Sequence, residues 1–318
     1  MPSKRSQFLQ HVAQTSPWPM IIEVERAEGM YIYDHEGKRF LDFDSGFSVS
    51  SLGHRHPVVM TALADQMSKY LHTTVYGEHI QSPQIRFASR FAGVMGDRFE
   101  TVYFTNSGSE AVEVAMKAGR KSTGRYKVLS CKQAYHGSTL GAESLRSDID
   151  YTSAFMPGLP GVDHIGFNAM EDLGKIDQSV AILIMEVVQA EAGVRLPDAD
   201  WLHAVRNRCT EQGVLLAFDE IQTGFGRTGK LFAHKHYGIY PDLLIMAKAM
   251  GGGMPIGAVA GDHRLLNSFA HDPALGHITT FGGHPLSVAA SAAVLEYLVS
   301  SDLMEKVANK AALFKSQL

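Results

Sequence analysis

The order of apolar positions predicts buried strands alternating with helices through the middle of the chain. Five short apolar runs stand out between about residues 95 and 260: Thr101–Thr105 (TVYFT), Lys127–Ser130 (KVLS), Val180–Met185 (VAILIM), Gly213–Phe218 (GVLLAF) and Asp242–Met246 (DLLIM). They are continuous rather than alternating, as expected of parallel strands covered on both faces. After Ser109, the residues Ala111, Val114, Ala115 and Ala118 recur at the spacing of one helix face. Trp201–Gln212 reads as a second helix, with Gly213 as its stop. This alternation predicts an α/β layered domain at about residues 60–270.

The flanks read differently. Met30–Tyr33, a turn around Gly37 and Arg39–Phe43 predict a hairpin in an N-terminal arm. Pro285 suits the first turn of a helix. Met304, Val307, Ala308 and Ala311 then form another apolar stripe, which runs on to Leu318 without a Gly or Pro stop.

Composition narrows the class. The chain has 318 residues, which at roughly 100–200 residues per domain suggests about two domains or one large one. Apolar residues make up 45% and charged residues 19%, which excludes global disorder. The 29 Lys and Arg against 33 Asp and Glu give a net charge of −4, which disfavours nonspecific nucleic-acid binding. No apolar run reaches the roughly 18–20 residues that span a bilayer, so no membrane association is expected. The first twenty residues lack the apolar core of a signal peptide. Two cysteines, Cys131 and Cys209, build no disulfide framework, and a reducing cytoplasmic location is expected.

Chemistry gathers at four junctions where a strand ends, the place where ligands collect in open α/β sheets. Asn106-Ser107-Gly108-Ser109-Glu110 precedes a helix, whose start could hold a phosphate or could simply be capped by Ser or Asn. Asp219-Glu220-Ile221-Gln222 offers a carboxylate that could accept from a protonated ring nitrogen, ligate Mg²⁺ or cap a turn. Lys248 follows a buried strand, where desolvation would make its amine a nucleophile suited to a Schiff base; otherwise it is a surface lysine. Thr279-Thr280-Phe281-Gly282-Gly283 precedes the Pro285 helix and is either an anion site or an ordinary loop. Two further patterns are weaker. Gly224-Phe225-Gly226-Arg227-Thr228-Gly229 matches a dinucleotide fingerprint, but Lys230–His234 after it reads as extended rather than helical. The pairs His54/His56 and His234/His236 lack metal-ligand spacing, and no metal is expected.

Taken together, the chain resembles the class III, omega-amino acid type aminotransferases. The resemblance is an ordered series: LDFDSGFSVSSLGHRHP (41–57), FTNSGSEAVEVAMKAGRK (104–121), AYHGSTLGA (134–142), MEVVQAEAGV (185–194), FDEIQTGFGRTGK (218–230), DLLIMAKAMGGGMPIGA (242–258) and TTFGGHPL (279–286). It implies an α/β chain of the pyridoxal-phosphate-dependent fold type I, with a mostly parallel sheet and helices on both faces. It divides the chain into an N-terminal arm and small-domain segment (1–58), a large cofactor-binding domain (59–284) and connecting helices (285–318). Relatives continue from there into a small C-terminal domain that is missing from this sequence.

The resemblance also assigns roles, residue by residue. Lys248 would hold pyridoxal 5'-phosphate as a Schiff base and carry the proton. Asp219 would pair with the ring nitrogen, which keeps the ring an electron sink. Gln222 would contact the phenolic oxygen, and Tyr135 would stack on the ring with His136 beside it. Ser107, Gly108 and Ser109 would cradle the phosphate. Thr280 would reach the active site of a neighbouring subunit in a homodimer. The implied reaction is a ping-pong transfer from an amine donor to a keto acid such as 2-oxoglutarate or pyruvate, with similarity toward the ornithine, acetylornithine and putrescine branch. A same-fold aminomutase, a decarboxylating relative and a non-catalytic dimeric homologue are the competing readings. Three departures bear on the donor. Ser138 stands where ornithine, acetylornithine and 4-aminobutyrate enzymes have Arg, and Ser cannot form a bidentate charged pair. Phe47 replaces the Tyr of ornithine enzymes. The segment from Glu186 to Ala192 keeps both acids and Gln189 but loses Pro and two Gly. Glu191 matches an acid that pairs in some relatives with a C-terminal arginine.

Overall fold

The predicted hairpin is part of a three-stranded antiparallel sheet: β1 (Val24–Glu28), β2 (Tyr31–Asp34) and β3 (Arg39–Leu41), in that order. Asp34 makes its turn, accepting from the amides of Glu36 and Lys38. In this computed structural model, which describes residues 3–318, the five apolar runs form the heart of a second sheet. Its strands are β4 (Thr101–Thr105), β5 (Lys127–Cys131), β6 (Val162–Ile165), β7 (Val180–Glu186), β8 (Leu215–Asp219), β9 (Leu243–Ala247) and β10 (Gly257–Gly261). They lie in the order β4-β10-β9-β8-β7-β5-β6. β10 runs antiparallel to both neighbours and the remaining pairings are parallel.

Burial on both faces explains why the runs are continuous. Every residue of β7 is buried. Leu183 and Met185 pack into one apolar layer with Trp201, Phe218, Phe91 and Leu295. Ile182 and Ile184 pack into the other with Ala111, Val114, Ala115 and Ala118. These last four are the predicted stripe of helix Gly108–Thr123. Each large aliphatic side chain buried in this way contributes roughly 1.5–3 kcal/mol relative to exposure. Helix Ala199–Gln212 ends as predicted, with Gly213 left-handed at its C-cap. Helix Pro285–Ser300 is a core element, packed on helices Pro57–Met67 and Ser82–Met95. No single helix among the described residues is long and apolar enough to cross a membrane.

Three strands carry no apolar run. β10 is GAVAG, whose small residues have little strand preference. β6 (VDHI) carries two adjacent polar residues at the sheet edge, and β1 (VERAE) is mostly polar and exposed. One expectation is corrected. Lys230–His234 is not extended: turns lead into a short 3-10 turn at Ala233–His236. The amides of Ala233 and His234 donate to the Glu220 carboxylate, so they are unavailable to a strand ladder.

Gly257 opens β10 beneath the loop that follows β4. A Cβ there would lie 2.1 Å from the Ser107 carbonyl oxygen and 2.5 Å from its carbon. Backbone atoms cannot swing aside, so Gly257→Ala is expected to destabilise the fold by about 1–3 kcal/mol. A lower denaturation midpoint at unchanged slope would register this, and an unchanged midpoint would refute the close approach.

Candidate active site

The ends of β4, β5, β7, β8 and β9 meet around a cavity of about 420 Å³, within the usual size of a small-molecule site. Ser107, Gly108, Ser109, Tyr135, His136, Glu186, Asp219, Gln222 and Lys248 all contribute to its wall. Buried strands cannot spend polar side chains along their length, so the chemistry sits where they end.

Lys248 is the first residue after β9 and has φ +46°. A left-handed backbone is uncommon for a residue with a side chain, and such strain concentrates at functional sites. Its Nζ donates to Gln222 Oε1 at 2.9 Å. Burial pushes the Lys248 pKa below its ordinary value, although Asp219 and Glu191 pull it the other way.

Asp219 ends β8 and is 5% exposed. Its Oδ1 accepts the Ile221 amide at 3.0 Å, and its Oδ2 lies 2.7 Å from His136 Nδ1. Burial alone would lower the His136 pKa. The hydrogen bond to Asp219, with the charges of Asp219 and Glu186, outweighs that and raises it. His136 therefore backs Asp219 as an ion-pair partner, a closer role than the place beside Tyr135 that the resemblance gave it.

The helix beginning at Gly108 is capped by Ser107, and its first amides stay open. Ser107 Oγ caps the Glu110 amide at 3.2 Å, while Glu110 reaches back to the Asn106 amide at 2.7 Å. This resembles a capping box, with the acid reaching one residue beyond the N-cap. The amides of Gly108 and Ser109 lie in the first helical turn, which has no intrahelical acceptors for them. Ser109 Oγ accepts the Ser138 amide at 3.2 Å, and Ser138 Oγ lies 3.2 Å from Tyr135 Oη. Ser138 is thus tied to the cavity wall from behind without lining it.

Phe47, Glu191 and Thr280 are also outside the cavity lining and are exposed. Phe47 belongs to a run of four left-handed residues, Ser45 to Ser48. Arg227 holds that turn, donating to Ser48 O at 2.8 Å and Ser51 Oγ at 2.9 Å. The Gly224–Gly229 segment therefore works as a brace for the N-terminal turn.

Sequence reasoning missed the partners of the catalytic candidates. Glu220, next to Asp219, accepts from Ala233 N, His234 N and Thr223 Oγ1 and lies 2.7 Å from His234 Nδ1. His54 lies 2.7 Å from Asp42 Oδ2, and His236 meets Thr228. Among the described residues no cluster of three or more His, Cys, Asp or Glu is placed to hold a metal ion.

A lysine at the end of one buried strand, facing the same cavity as an anchored aspartate at the end of the next, defines an enzyme site of the pyridoxal-phosphate type. The family Aminotransferase class-III matches residues 12–318, and the chain belongs to that family. It is 39% identical over 311 residues to the acetylornithine aminotransferase of Archaeoglobus fulgidus, covering 97% of this chain and 80% of that one. It is 37% identical to the [LysW]-aminoadipate semialdehyde/glutamate semialdehyde transaminase of Sulfolobus acidocaldarius, over 93% of this chain and 76% of that one. Among solved structures, ornithine aminotransferase from Toxoplasma gondii superposes with a TM-score of 0.89 at 31% identity, covering 98% of this chain and 74% of that one. Taurine:2-oxoglutarate aminotransferase from Bifidobacterium kashiwanohense, solved with PLP and glutamate, superposes at 0.90 with 29% identity, covering 98% and 76%.

The cofactor is pyridoxal 5'-phosphate, and the residues present fit it. The fit lies in the donor set: the Lys248 amine, the buried Asp219 carboxylate and the unpaired amides at the start of the Gly108 helix all face one cavity. Buried His136 Nε2 has no hydrogen-bond partner among the described residues, leaving a polar atom at the wall for a bound group.

Glu220→Ala would leave three donors and the buried His234 ring without their acceptor. The expected loss of stability is at least about 3 kcal/mol by denaturant titration. A loss below about 1 kcal/mol would show that these groups find other partners.

Proposed function

We propose that this class III aminotransferase moves an amino group from an ornithine-, acetylornithine- or diamine-like donor to a keto acid such as 2-oxoglutarate, in two half-reactions that share one site. The observation that carries this reading is the pairing of desolvated Lys248 with anchored Asp219 on one cavity wall. Bound pyridoxal phosphate supplies an aldehyde that condenses with amines and a ring that accepts the electron pair released at the donor carbon.

The chain's own residues supply binding and proton transfer. Desolvation favours the neutral Lys248 amine, the form that attacks an aldehyde. Gln222 orients that amine toward the cavity, and an incoming donor amine would replace it at the aldehyde carbon. The displaced amine then takes the proton from the donor carbon and returns one to the acceptor. Asp219, fixed by the Ile221 amide and by His136, accepts the hydrogen bond of the protonated ring nitrogen. The amides at Ser107, Gly108 and Ser109 receive the phosphate, and Tyr135 covers the ring. Thr280 is exposed, beside exposed Ile278 and Phe281. This suits a loop that enters the site of a second subunit, as a homodimer requires.

The names of the relatives support the ornithine and acetylornithine end of the donor range and 2-oxoglutarate as acceptor. Phe47 has no hydroxyl and Ser138 cannot form a bidentate charged pair with a donor carboxylate, which shifts the balance toward a diamine. A screen of putrescine, ornithine, acetylornithine and 4-aminobutyrate against 2-oxoglutarate and pyruvate tests the reading. Turnover is expected only with a keto acid present, with putrescine ahead of 4-aminobutyrate. Turnover without any acceptor would identify a mutase or decarboxylase instead. Lys248→Ala should abolish transfer, lowering the rate by at least about 10³-fold. A rate within tenfold of wild type would sink the role of Lys248.

A further inference from the structure

Glu186 and Glu220 are both buried, yet their surroundings are opposite. Glu220 is 1% exposed and its carboxylate has four polar partners. Glu186 is 7% exposed, and the one hydrogen bond to its carboxyl among the described residues is the Tyr135 amide, long at 3.4 Å. No Lys, Arg or His nitrogen among the described residues lies within ion-pair distance of it. It ends β7 directly beside Asp219 in the parallel register and lines the same cavity.

Two carboxyl groups at neighbouring strand ends have one imidazole nearby, and only one of them is bonded to it. His136 is committed to Asp219 at 2.7 Å. A buried carboxylate without a partner is relieved by taking up a proton. The other groups around Glu186 do not supply a close cation. Cys131 comes from β5, Glu191 from its own following loop, and Lys248 from the end of β9, where Gln222 holds its amine. Burial pushes the Glu186 pKa up to about 7; His136 opposes this, and Asp219 and Glu191 add to it.

We propose that Glu186 is a third acid of this site and a positioning residue: it holds a proton while Asp219 and His136 form the buried ion pair, and releasing that proton adds a negative charge to the Asp219 wall. With Glu186 neutral, the wall carries one carboxylate matched to one imidazolium. With Glu186 ionised, two carboxylates adjoin that imidazolium. Its charge then favours the protonated forms of both His136 and Lys248. The change accompanies rising pH, so above neutrality less neutral Lys248 amine is available than if Glu186 stayed protonated. This inference rests on the proposed function only for the roles of Lys248 and Asp219; the charge state itself belongs to the chain.

The test is a titration of His136 by ¹⁵N NMR of its ring, from about pH 5 to about pH 9. It is run on the full chain loaded with pyridoxal phosphate and again without it. Wild type is expected to show a step in the His136 shifts near pH 7, and Glu186→Gln is expected to lose it. A step that survives the substitution, or no step in wild type, would overturn the proposal. Infrared difference spectra of the wild-type chain carrying ¹³C-labelled glutamate decide the matter if the variant fails to fold. A protonated-carboxyl band that disappears over the same range supports the proposal, and the absence of any such band contradicts it. Failure of the chain to bind pyridoxal phosphate would count against the proposed function, while the cofactor-free titration would still judge Glu186.

Discussion

The structure depends on one constraint: its central strands are buried on both faces. β7 and β9 have no exposed residue, so polar chemistry is excluded from their length. It is allowed only where the backbone leaves the sheet. Parallel neighbours end on the same edge, so this exclusion gathers Glu186, Asp219 and Lys248 around one cavity without any segment being devoted to it. The antiparallel strand β10 fits within the same constraint. It fills the space between β4 and β9, and its first glycine lets the backbone of the loop at Ser107 settle close to the sheet.

Placing charges at the buried end of a sheet requires that each be answered. The chain answers them unequally. Glu220 is held by four polar partners and braces the segment that carries Arg227, which in turn braces the Ser45–Ser48 turn. Asp219 is held by one imidazole and one amide, leaving acceptor capacity for a ring nitrogen. Lys248 has a neutral partner, the Gln222 carbonyl, which orients its amine without competing for its proton. The Glu220 carboxylate is thus fully engaged, while Asp219 and Lys248 keep bonding capacity toward the cavity. Glu186, with a single long hydrogen bond, is at the far end of that range.

Much of this was readable in the residues. Continuous apolar runs such as VAILIM announce strands covered on both sides, and polar residues directly after them announce a site. Lys248, Asp219 and Ser107–Ser109 all follow such runs, and they line one cavity. The partners were not readable, because partnership across strand ends depends on register, which the sequence does not print. Glu186 and Asp219 are thirty-three positions apart, yet they are paired in the ladder. His136 carries no mark that it belongs to Asp219 rather than to the tyrosine beside it. The extended reading of Lys230–His234 failed for a related reason: its backbone donors are claimed by a carboxylate more than ten residues upstream. GAVAG was silent because small residues form a strand only where neighbours on both sides provide the ladder.

Lys248 is the amine of this wall that we propose holds the cofactor. Borohydride reduction of the wild-type chain with bound pyridoxal phosphate, followed by peptide mass mapping, tests it most directly. The account predicts one label per chain, on the peptide containing Lys248. A label on a different lysine, or no stable label, would contradict it.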